Sequence, residues 1–237
     1  MALMNESGFL FLLRWIHFLS GITWIGLLYY FNFVQTPFFA ETEAPVRSGA
    51  QQKLLPRAMW WFRWGAMITF LSGWIYLLHW WLGKRGLADP QTWVILLGGI
   101  IGSVMWFNVW FVIHPKQKIV IQNALDTAAG KPANPTAAPS GARAGLASRT
   151  NTVFSIPMLF MMGAASHLPM PMPGSGAAFW VIALVIVALV EWNALAVAPG
   201  KPTTKPLATV KGTLWFGFIL TVIFYLLFEV MKRGGGA

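Results

Sequence analysis

His17 lies inside an apolar run that extends from Phe9 to Tyr30, and this position makes it the strongest candidate for chemistry in the sequence. An ionisable side chain inside a membrane helix is unfavourable, so it usually has a functional role and a partner. A neutral imidazole can ligate iron, and a haem also needs space for its flat macrocycle. Gly21 follows His17 by one helical turn and provides such space. His17 and Gly21 therefore indicate one half of a haem b site.

His167 is the best second ligand among the other three histidines. Gly163 precedes it by one helical turn, so this helix face could also admit the edge of a porphyrin. His79 ranks third, because bulkier residues occupy the corresponding positions beside it. His114 precedes a proline at the end of an apolar segment and is typical of an interfacial or loop residue. We therefore expect His17 and His167 to be the axial ligands of the haem iron.

Arg14 lies one turn before His17 on the same helix face and could pair with a haem propionate, because guanidinium binds carboxylate in a bidentate manner. The structural alternative is that histidines at helix ends are only solvated or bonded to a neighbouring carbonyl. This alternative applies to His79, His114 and His167, and less to His17 within the apolar run. A copper or iron ion bound directly by the three outer histidines is a further alternative.

A second group of polar residues lies near the opposite ends of the apolar segments. Buried amides and guanidiniums need hydrogen-bond partners, so these residues either satisfy one another or line a pocket for a planar molecule such as a quinone or purine. The arginines also follow the positive-inside rule without any ligand. The candidate substrate-binding residues are Asn32, Arg63, Asn108, Arg149, Asn151 and Glu191.

The composition places these residues in a membrane protein. Hydrophobic residues make up 57% of the 237 residues and charged residues only 10%, whereas soluble domains contain about 25% charged residues. The net charge of +10 does not indicate nucleic acid, because the basic residues lie mostly in short loops where they orient helices. The partner we expect is the lipid bilayer. The absence of cysteine excludes disulfides, thiolate metal sites and a covalent c-type haem.

The apolar segments predict an all-α, polytopic helix bundle with about six transmembrane helices. A crossing needs about 20 apolar residues, and we expect a single transmembrane domain over residues 1–237. Residues 115–150 are rich in Ala, Gly and Pro and predict an irregular cytoplasmic loop with at most short helical pieces. The predicted helices cover residues 9–32, 58–82, 92–113, 151–167, 176–198 and 211–231.

The distribution of Lys and Arg predicts the orientation of the helices. Twelve of these residues lie in or beside the loops that follow the first, third and fifth helices, which the positive-inside rule assigns to the cytoplasm. Both termini are then on the outer side, and three of the four histidines lie in the outer leaflet. The five basic residues predicted on the outer side are Arg14, Lys84, Arg85, Lys232 and Arg233.

Five stretches of the sequence resemble the membrane domain of the PuuD-type membrane urate oxidase (urate hydroxylase) family. The similarity extends over nearly the whole chain. The first helix is more distantly similar to that of HemJ-type protoporphyrinogen oxidases, where a histidine in a comparable setting is associated with haem. The stretches that carry the resemblance are residues 14–32, which include Arg14-Trp-Ile-His17, and residues 60–67, 105–110, 142–151 and 155–162.

The resemblance implies a bacterial inner-membrane oxidoreductase that oxidises urate and passes electrons to cytochrome c. Family members carry a C-terminal cytochrome c domain, whereas this sequence contains no Cys-x-x-Cys-His motif. We therefore expect a multi-pass inner-membrane redox protein that passes electrons to a separate c-type cytochrome, and its enzymatic activity stays open. The alternative is a non-catalytic accessory subunit of a larger respiratory or photosynthetic membrane complex.

Overall fold

Helices account for nearly all of the structure, and the predicted all-α class is confirmed. The structure is a computed structural model that describes residues 2–232, so Arg233 lies outside it. Over this range the only strand-like pairing is a single antiparallel bridge between Pro173 and Lys232. The α-helices are α1 (Glu6–Tyr29), α2 (Thr36–Glu41), α3 (Ala44–Tyr76), α4 (Pro90–Phe107), α5 (His114–Ala128), α6 (Ala137–His167), α7 (Gly176–Leu195) and α8 (Val210–Val230).

Four helices begin at polar residues whose side chains cap the free backbone N–H groups of the first turn. Asn5 Oδ1 accepts a hydrogen bond from a backbone N–H of α1 at 2.9 Å. Asp89 caps α4 in the same way, with Pro90 at the first helical position, where no N–H is needed. Ser175 and Thr209 cap α7 and α8. These caps fix where each apolar helix starts.

Three helices continue into π-helical turns, at Tyr30–Gln35 after α1, Leu77–Arg85 after α3 and Asn108–Ile113 after α4. A π-helical turn is rare and frequently occurs at a functional site, because it changes the direction of the side chains that follow. The second of these turns borders the cavities at one end of the bundle, and the first borders a cavity at the other end. The first two π-helical turns therefore lie beside the cavities in which a functional site is expected.

The two ends of the bundle are identified by contacts between helix termini. His79 Nε2 lies 2.9 Å from Glu6 Oε1, which brings the start of α1 to the end of the α3 segment. Gln91 Nε2 donates to the carbonyl oxygen of Leu168 at 3.0 Å, which joins the start of α4 to the end of α6. We call this the terminal end, because α1 begins and α8 ends there, and we call the other the opposite end.

Each of the six predicted transmembrane segments lies wholly or largely within helical structure. By length and composition, four helical stretches in residues 2–232 could cross a membrane: Glu6–Glu41, Pro90–Ala128, Gly176–Leu195 and Val210–Val230. The α3 and α6 helices carry more polar residues and do not reach the same mean hydropathy. The count of six crossings and the outer location of both termini stay predictions.

The expectation of an irregular loop over residues 115–150 is wrong. The α5 helix occupies His114–Ala128, and α6 begins at Ala137, so only a short connection is irregular. Alanine is the best helix former, and this outweighs the scattered glycines once the first half of α6 packs against α5. Gly130 has a positive φ of 77° and Pro132 follows it closely, which keeps the break between the two helices short.

The α6 helix is the centre of the bundle and contacts α1, α4, α5, α7 and α8. Gly98 and Gly102 of α4 form a small-residue pair that packs against Met158 and Met161 of α6. A Cβ on Gly98 would lie 3.2 Å from Met161 Cβ, and one on Gly102 would lie 3.3 Å from Met158 Sδ. The GxxxG spacing in α4 therefore serves close packing within the chain.

The α8 helix approaches α6 where Pro157 interrupts the backbone hydrogen bonds. Proline has no N–H, so the carbonyl of Val153 receives no bond from residue 157. Gly217 of α8 packs at this carbonyl, and a Cβ there would lie 3.0 Å from the Val153 oxygen. The clash with the Ile156 side chain would be more severe. Only glycine at this position allows the observed approach of the two helices.

The contact between α1 and α3 depends on Gly65, and this gives a stability prediction. A Cβ at Gly65 would lie 3.2 Å from the backbone N of Trp24 and 3.3 Å from the carbonyl of Ser20, and backbone atoms cannot yield without separating the helices. We expect Gly65→Ala to lower the free energy of unfolding by about 1–3 kcal/mol. Gly49→Ala on the same helix is the control, because nothing lies within 4 Å of its Cβ. Thermal unfolding in detergent measures both, and equal stabilities would contradict the packing argument.

Candidate functional site

A cavity of about 720 Å³ lies at the terminal end of the bundle between α1, α3, α4 and α6. Its volume is within the range of about 300–1,000 Å³ that is usual for small-molecule and cofactor sites. The residues that line this cavity include five that the sequence analysis assigned to a cofactor site. These residues are Arg14, His17, Gly21, Gly163 and His167.

His17 is held in a defined orientation by the backbone of α3. Its Nδ1 atom lies 3.0 Å from the carbonyl oxygen of Thr69 and 3.3 Å from Ser72 Oγ. A carbonyl oxygen can only accept, so Nδ1 carries the proton and Nε2 carries the lone pair. Histidines that ligate metals commonly donate their other ring N–H to a backbone carbonyl in this way. The imidazole of His17 is therefore prepared to act as a ligand through Nε2.

Gly73 of α3 positions the His17 ring by having no side chain. A Cβ at Gly73 would lie 2.8 Å from His17 Cε1 and 3.1 Å from Nδ1, so any other residue would displace the imidazole. The sequence analysis missed Gly73 and Thr69, because both lie on another helix and no local spacing links them to His17. At two of the wall glycines, Gly26 and Gly163, an added Cβ would meet nothing within 4 Å. The wall contains six glycines: Gly21, Gly26, Gly73, Gly99, Gly102 and Gly163.

His167 is the last residue of α6 and lies where two cavities meet. It lines the cavity of His17 and a neighbouring cavity of about 570 Å³ toward the surface, which Arg85 also lines. The guanidinium carbon of Arg14 lies 5.5 Å from the centre of the Tyr76 ring. The guanidinium carbon of Arg85 lies 4.7 Å from the centre of the Trp81 ring, and Arg85 also forms an ion pair with Asp89. Two guanidiniums therefore border the outer side of the site, and Arg85 is the one that the sequence analysis missed.

His79 is not on the wall of either cavity. Its Nε2 atom contacts Glu6 Oε1, and Lys84 Nζ lies 3.3 Å from the same oxygen. This exposed cluster agrees with the alternative in which His79 is an interfacial residue. Over residues 2–232 no three His, Asp or Glu side chains converge on a point where they could hold a metal ion, so the structure does not assemble the three-histidine site.

The second predicted cluster divides into three separate groups at the opposite end. The first group is Asn32 and Arg149, which line a cavity of about 340 Å³. The second group is Asn108, Asn151 and Glu191, which form a hydrogen-bonded network. The third is Arg63, which interacts with aromatic rings and His114. The structure does not combine all six residues in one substrate pocket.

The network of Asn108, Asn151 and Glu191 joins three helical segments. Asn108 Nδ2 donates to Asn151 Oδ1 and to Glu191 Oε2, both at 2.9 Å. Asn151 Nδ2 donates in turn to the carbonyl of Met105 at 2.9 Å. The network satisfies only part of its polar groups, because Asn108 Oδ1 and Glu191 Oε1 are buried without a hydrogen-bond partner among the described residues.

Arg63 lies beside the rings of Trp64 and Trp110, which pack edge to face, with its guanidinium carbon 5.4 Å and 4.9 Å from the ring centres. Its Nη1 atom lies 3.3 Å from His114 Nε2, and the guanidinium can only donate, so the imidazole nitrogen accepts. Arg63 does not line the cavity of Asn32 and Arg149. Its partners are aromatic faces and a histidine, which is a structural arrangement.

Comparison with known proteins identifies a family relationship. The family model described as Urate oxidase N-terminal matches residues 87–224, which is more than half of the chain. The matched segment contains Gly163 and His167, and it begins after the helix that carries His17. No curated protein and no solved structure matches the chain.

The polar network gives a prediction about stability. In Asn108→Leu, the buried acceptors Asn151 Oδ1 and Glu191 Oε2 both lose their donor, and we expect a loss of about 2 kcal/mol in the free energy of unfolding. Glu191→Gln is the matched control, because its amide oxygen can still accept from Asn108. Thermal unfolding of the purified variants compares the two, and the network is not structural if Asn108→Leu is as stable as Glu191→Gln.

Proposed function

The chain belongs to the urate oxidase N-terminal family, and from this premise we propose that it is a membrane redox protein that binds haem b in the cavity at the terminal end. One observation carries the proposal. His17 donates its Nδ1 proton to the Thr69 carbonyl and keeps the Nε2 lone pair on the wall of a glycine-lined cavity. His167 lines the same cavity from a different helix.

The residues of the cavity fit this cofactor. Two histidines on α1 and α6 supply neutral nitrogen ligands, as b-type haem requires in a helix bundle. The glycines leave the space that a flat macrocycle needs, and an added Cβ at Gly163 or Gly26 would meet nothing within 4 Å. Apart from Arg14 and the two histidines, most of the residues that line the cavity are apolar, as Trp24 is. An apolar lining disfavours water in the site.

Bound haem would supply one-electron oxidation and reduction at this site. Arg14 would hold a propionate at the outer rim, and Arg85, which is paired with Asp89, would lie beside it. His167 is exposed at the end of α6, so a haem held by it would lie near the surface. We propose a separate c-type cytochrome as the acceptor at the terminal end. The family description makes urate the first electron donor to test.

The absorption spectrum of the purified protein tests the haem proposal. We expect a Soret band whose intensity falls strongly in His17→Ala, because an axial ligand is lost. Gly163→Leu should have the same effect, since its side chain enters the cavity without a backbone clash. Gly145→Leu is the matched control on the same helix, because its Cβ also meets nothing within 4 Å but it lines the other cavity.

Two results would reject this proposal. A wild-type protein without a Soret band would reject haem binding and favour the accessory-subunit alternative. A band that is unchanged in both His17→Ala and Gly163→Leu would place the haem elsewhere. The direction of electron flow is tested by adding urate to the oxidised wild-type protein and then adding an oxidised c-type cytochrome. We expect the absorption spectrum to change first to that of reduced haem and then back to that of oxidised haem.

The role of Arg14 has its own signature in the reduction potential. A positive charge near a haem stabilises the reduced form, so Arg14→Gln should lower the midpoint potential by roughly 20–40 mV, as expected for one partly exposed charge pair. Arg47→Gln at the opposite end is the control. A spectroscopic redox titration measures both, and an unchanged or raised potential in Arg14→Gln would show that Arg14 does not contact the propionate.

A further inference from the structure

Two oxygen atoms in the network of Asn108, Asn151 and Glu191 receive no hydrogen bond. They are Asn108 Oδ1 and Glu191 Oε1, and both are buried without a partner among the described residues. A buried acceptor without a donor is unfavourable and is uncommon in folded proteins. The network therefore lacks at least one hydrogen.

The N–H groups of Asn108 cannot supply this hydrogen. Its Nδ2 atom has two hydrogens and donates to Asn151 Oδ1 and to Glu191 Oε2, both at 2.9 Å. Asn151 Nδ2 donates to the carbonyl of Met105, which fixes Asn151 Oδ1 as an acceptor. Rotating the Asn108 amide by half a turn would place its oxygen against two acceptors. The orientation of Asn108 is thus fixed, and its Oδ1 atom stays without a donor.

A proton is the addition that fits beside these two oxygens. Neither atom is accessible to water, so neither a water molecule nor a larger ligand has room to contact them. A hydrogen on Glu191 Oε1 needs no cavity, and it changes that oxygen from an acceptor into a donor. Asn108 and Glu191 already share one hydrogen bond, so Asn108 Oδ1 belongs to the group that faces the carboxyl.

We propose that Glu191 is a proton-binding site. Its protonated carboxyl group donates from Oε1 to Asn108 Oδ1 and exchanges its proton with water at the opposite end of the bundle. The exchange is an acid–base step: the O–H bond of Glu191 breaks, the proton passes to water, and a proton from water replaces it. The proposal is independent of the haem site and goes beyond the proposed redox function.

The elements around Glu191 provide no cation that would hold it as a carboxylate. None of the ion pairs formed within residues 2–232 includes Glu191. The α7 helix contacts α4, which has no charged residue, and α6, α8 and the 3-10 turn Pro202–Ala208. Arg143 and Arg149 of α6 donate to backbone carbonyls instead. The titratable and charged residues of these elements are Arg143, Arg149, His167, Lys205, Lys211, Tyr225 and Glu229.

Glu191 lies near enough to the end of α7 to exchange a proton with water. Leu195 is the last residue of α7 and follows Glu191 by about one helical turn. Arg143 donates to the carbonyls of Ala194 and Val197, so polar groups begin directly after this turn. Carboxyl groups inside membrane helices often belong to proton relays. The position of Glu191 therefore favours exchange at the opposite end.

Infrared spectroscopy of the full chain in lipid nanodiscs detects this proton directly. A protonated carboxyl group has a C=O stretching band that is separate from the bands of carboxylates and amides and moves to lower frequency in D₂O. The chain has only seven Asp and Glu residues, and Glu6, Asp89 and Asp126 form ion pairs. We expect wild-type protein to show this band at neutral pH, to shift it in D₂O, and to lose it in Glu191→Gln.

Two further variants assign the band and its partner. Glu229→Gln near the end of α8 is the matched control and should keep the band at full intensity. In Asn108→Leu the carboxyl loses its partner, so the band should move to higher frequency. Thermal unfolding checks that each variant is folded. Glu191→Gln decides the case if Asn108→Leu does not fold, because its amide can both accept from Asn108 Nδ2 and donate to Asn108 Oδ1.

The proposal is overturned by any of three results. The first is wild-type protein without the band of a protonated carboxyl at neutral pH, which would show that Glu191 is a carboxylate. The second is a band that persists in Glu191→Gln, which would assign the proton to another residue. The third is a band that does not shift after prolonged incubation in D₂O, which would show that the proton does not exchange with water.

Discussion

The bundle depends on the burial of a polar helix at its centre. Seventeen of the 31 residues of α6 are buried, and several of them are Ser, Thr and Asn. Polar groups that are removed from water must find partners inside the protein. The neighbours of α6 provide them: Asn32 Nδ2 donates to Ser148 Oγ at 2.8 Å, and Tyr29 OH lies 2.9 Å from Ser155 Oγ. These bonds fix how α1 lies against α6 and hence the shape of both cavities.

The two cavities result from the same packing arrangement. Over its middle part α6 contacts its neighbours closely, with Met158 and Met161 against the glycines of α4. Toward each end of α6 a glycine faces the neighbouring helices, and an added Cβ there would meet nothing within 4 Å. Gly163 opens this space at the terminal end and Gly145 opens it at the opposite end. A single helix face thus borders two cavities, one that contains Arg14, His17 and His167 and one that contains Arg149.

The sequence was sufficient for the features that depend on local spacing. The apolar segments predicted the all-α class, and the turn that contains His17 and Gly21 predicted residues that prove to share a cavity with Gly163 and His167. Contacts between distant segments were not predictable in this way. Gly73 acts on His17 from another helix, and no pattern in the sequence joins them. The helical structure of residues 115–150 was missed because its alanines become decisive only when α5 and α6 pack together.

The arginines of the opposite end show why charge alone does not identify a site. The positive-inside rule accounts for their presence at one end of the bundle but not for their individual partners. Arg143 donates to the carbonyls of Ala194 and Val197 at 2.6 and 3.0 Å, where α7 ends and free carbonyls are available. Arg63 lies against two tryptophan rings that contact each other.

Arg149 differs from both because it lines a cavity, and within residues 2–232 its one hydrogen-bond partner is the carbonyl of Leu207. Gln35 lines the same cavity, and its Oε1 atom is buried without a hydrogen-bond partner among residues 2–232. Orientation in the membrane needs only a positive charge at this end of the bundle.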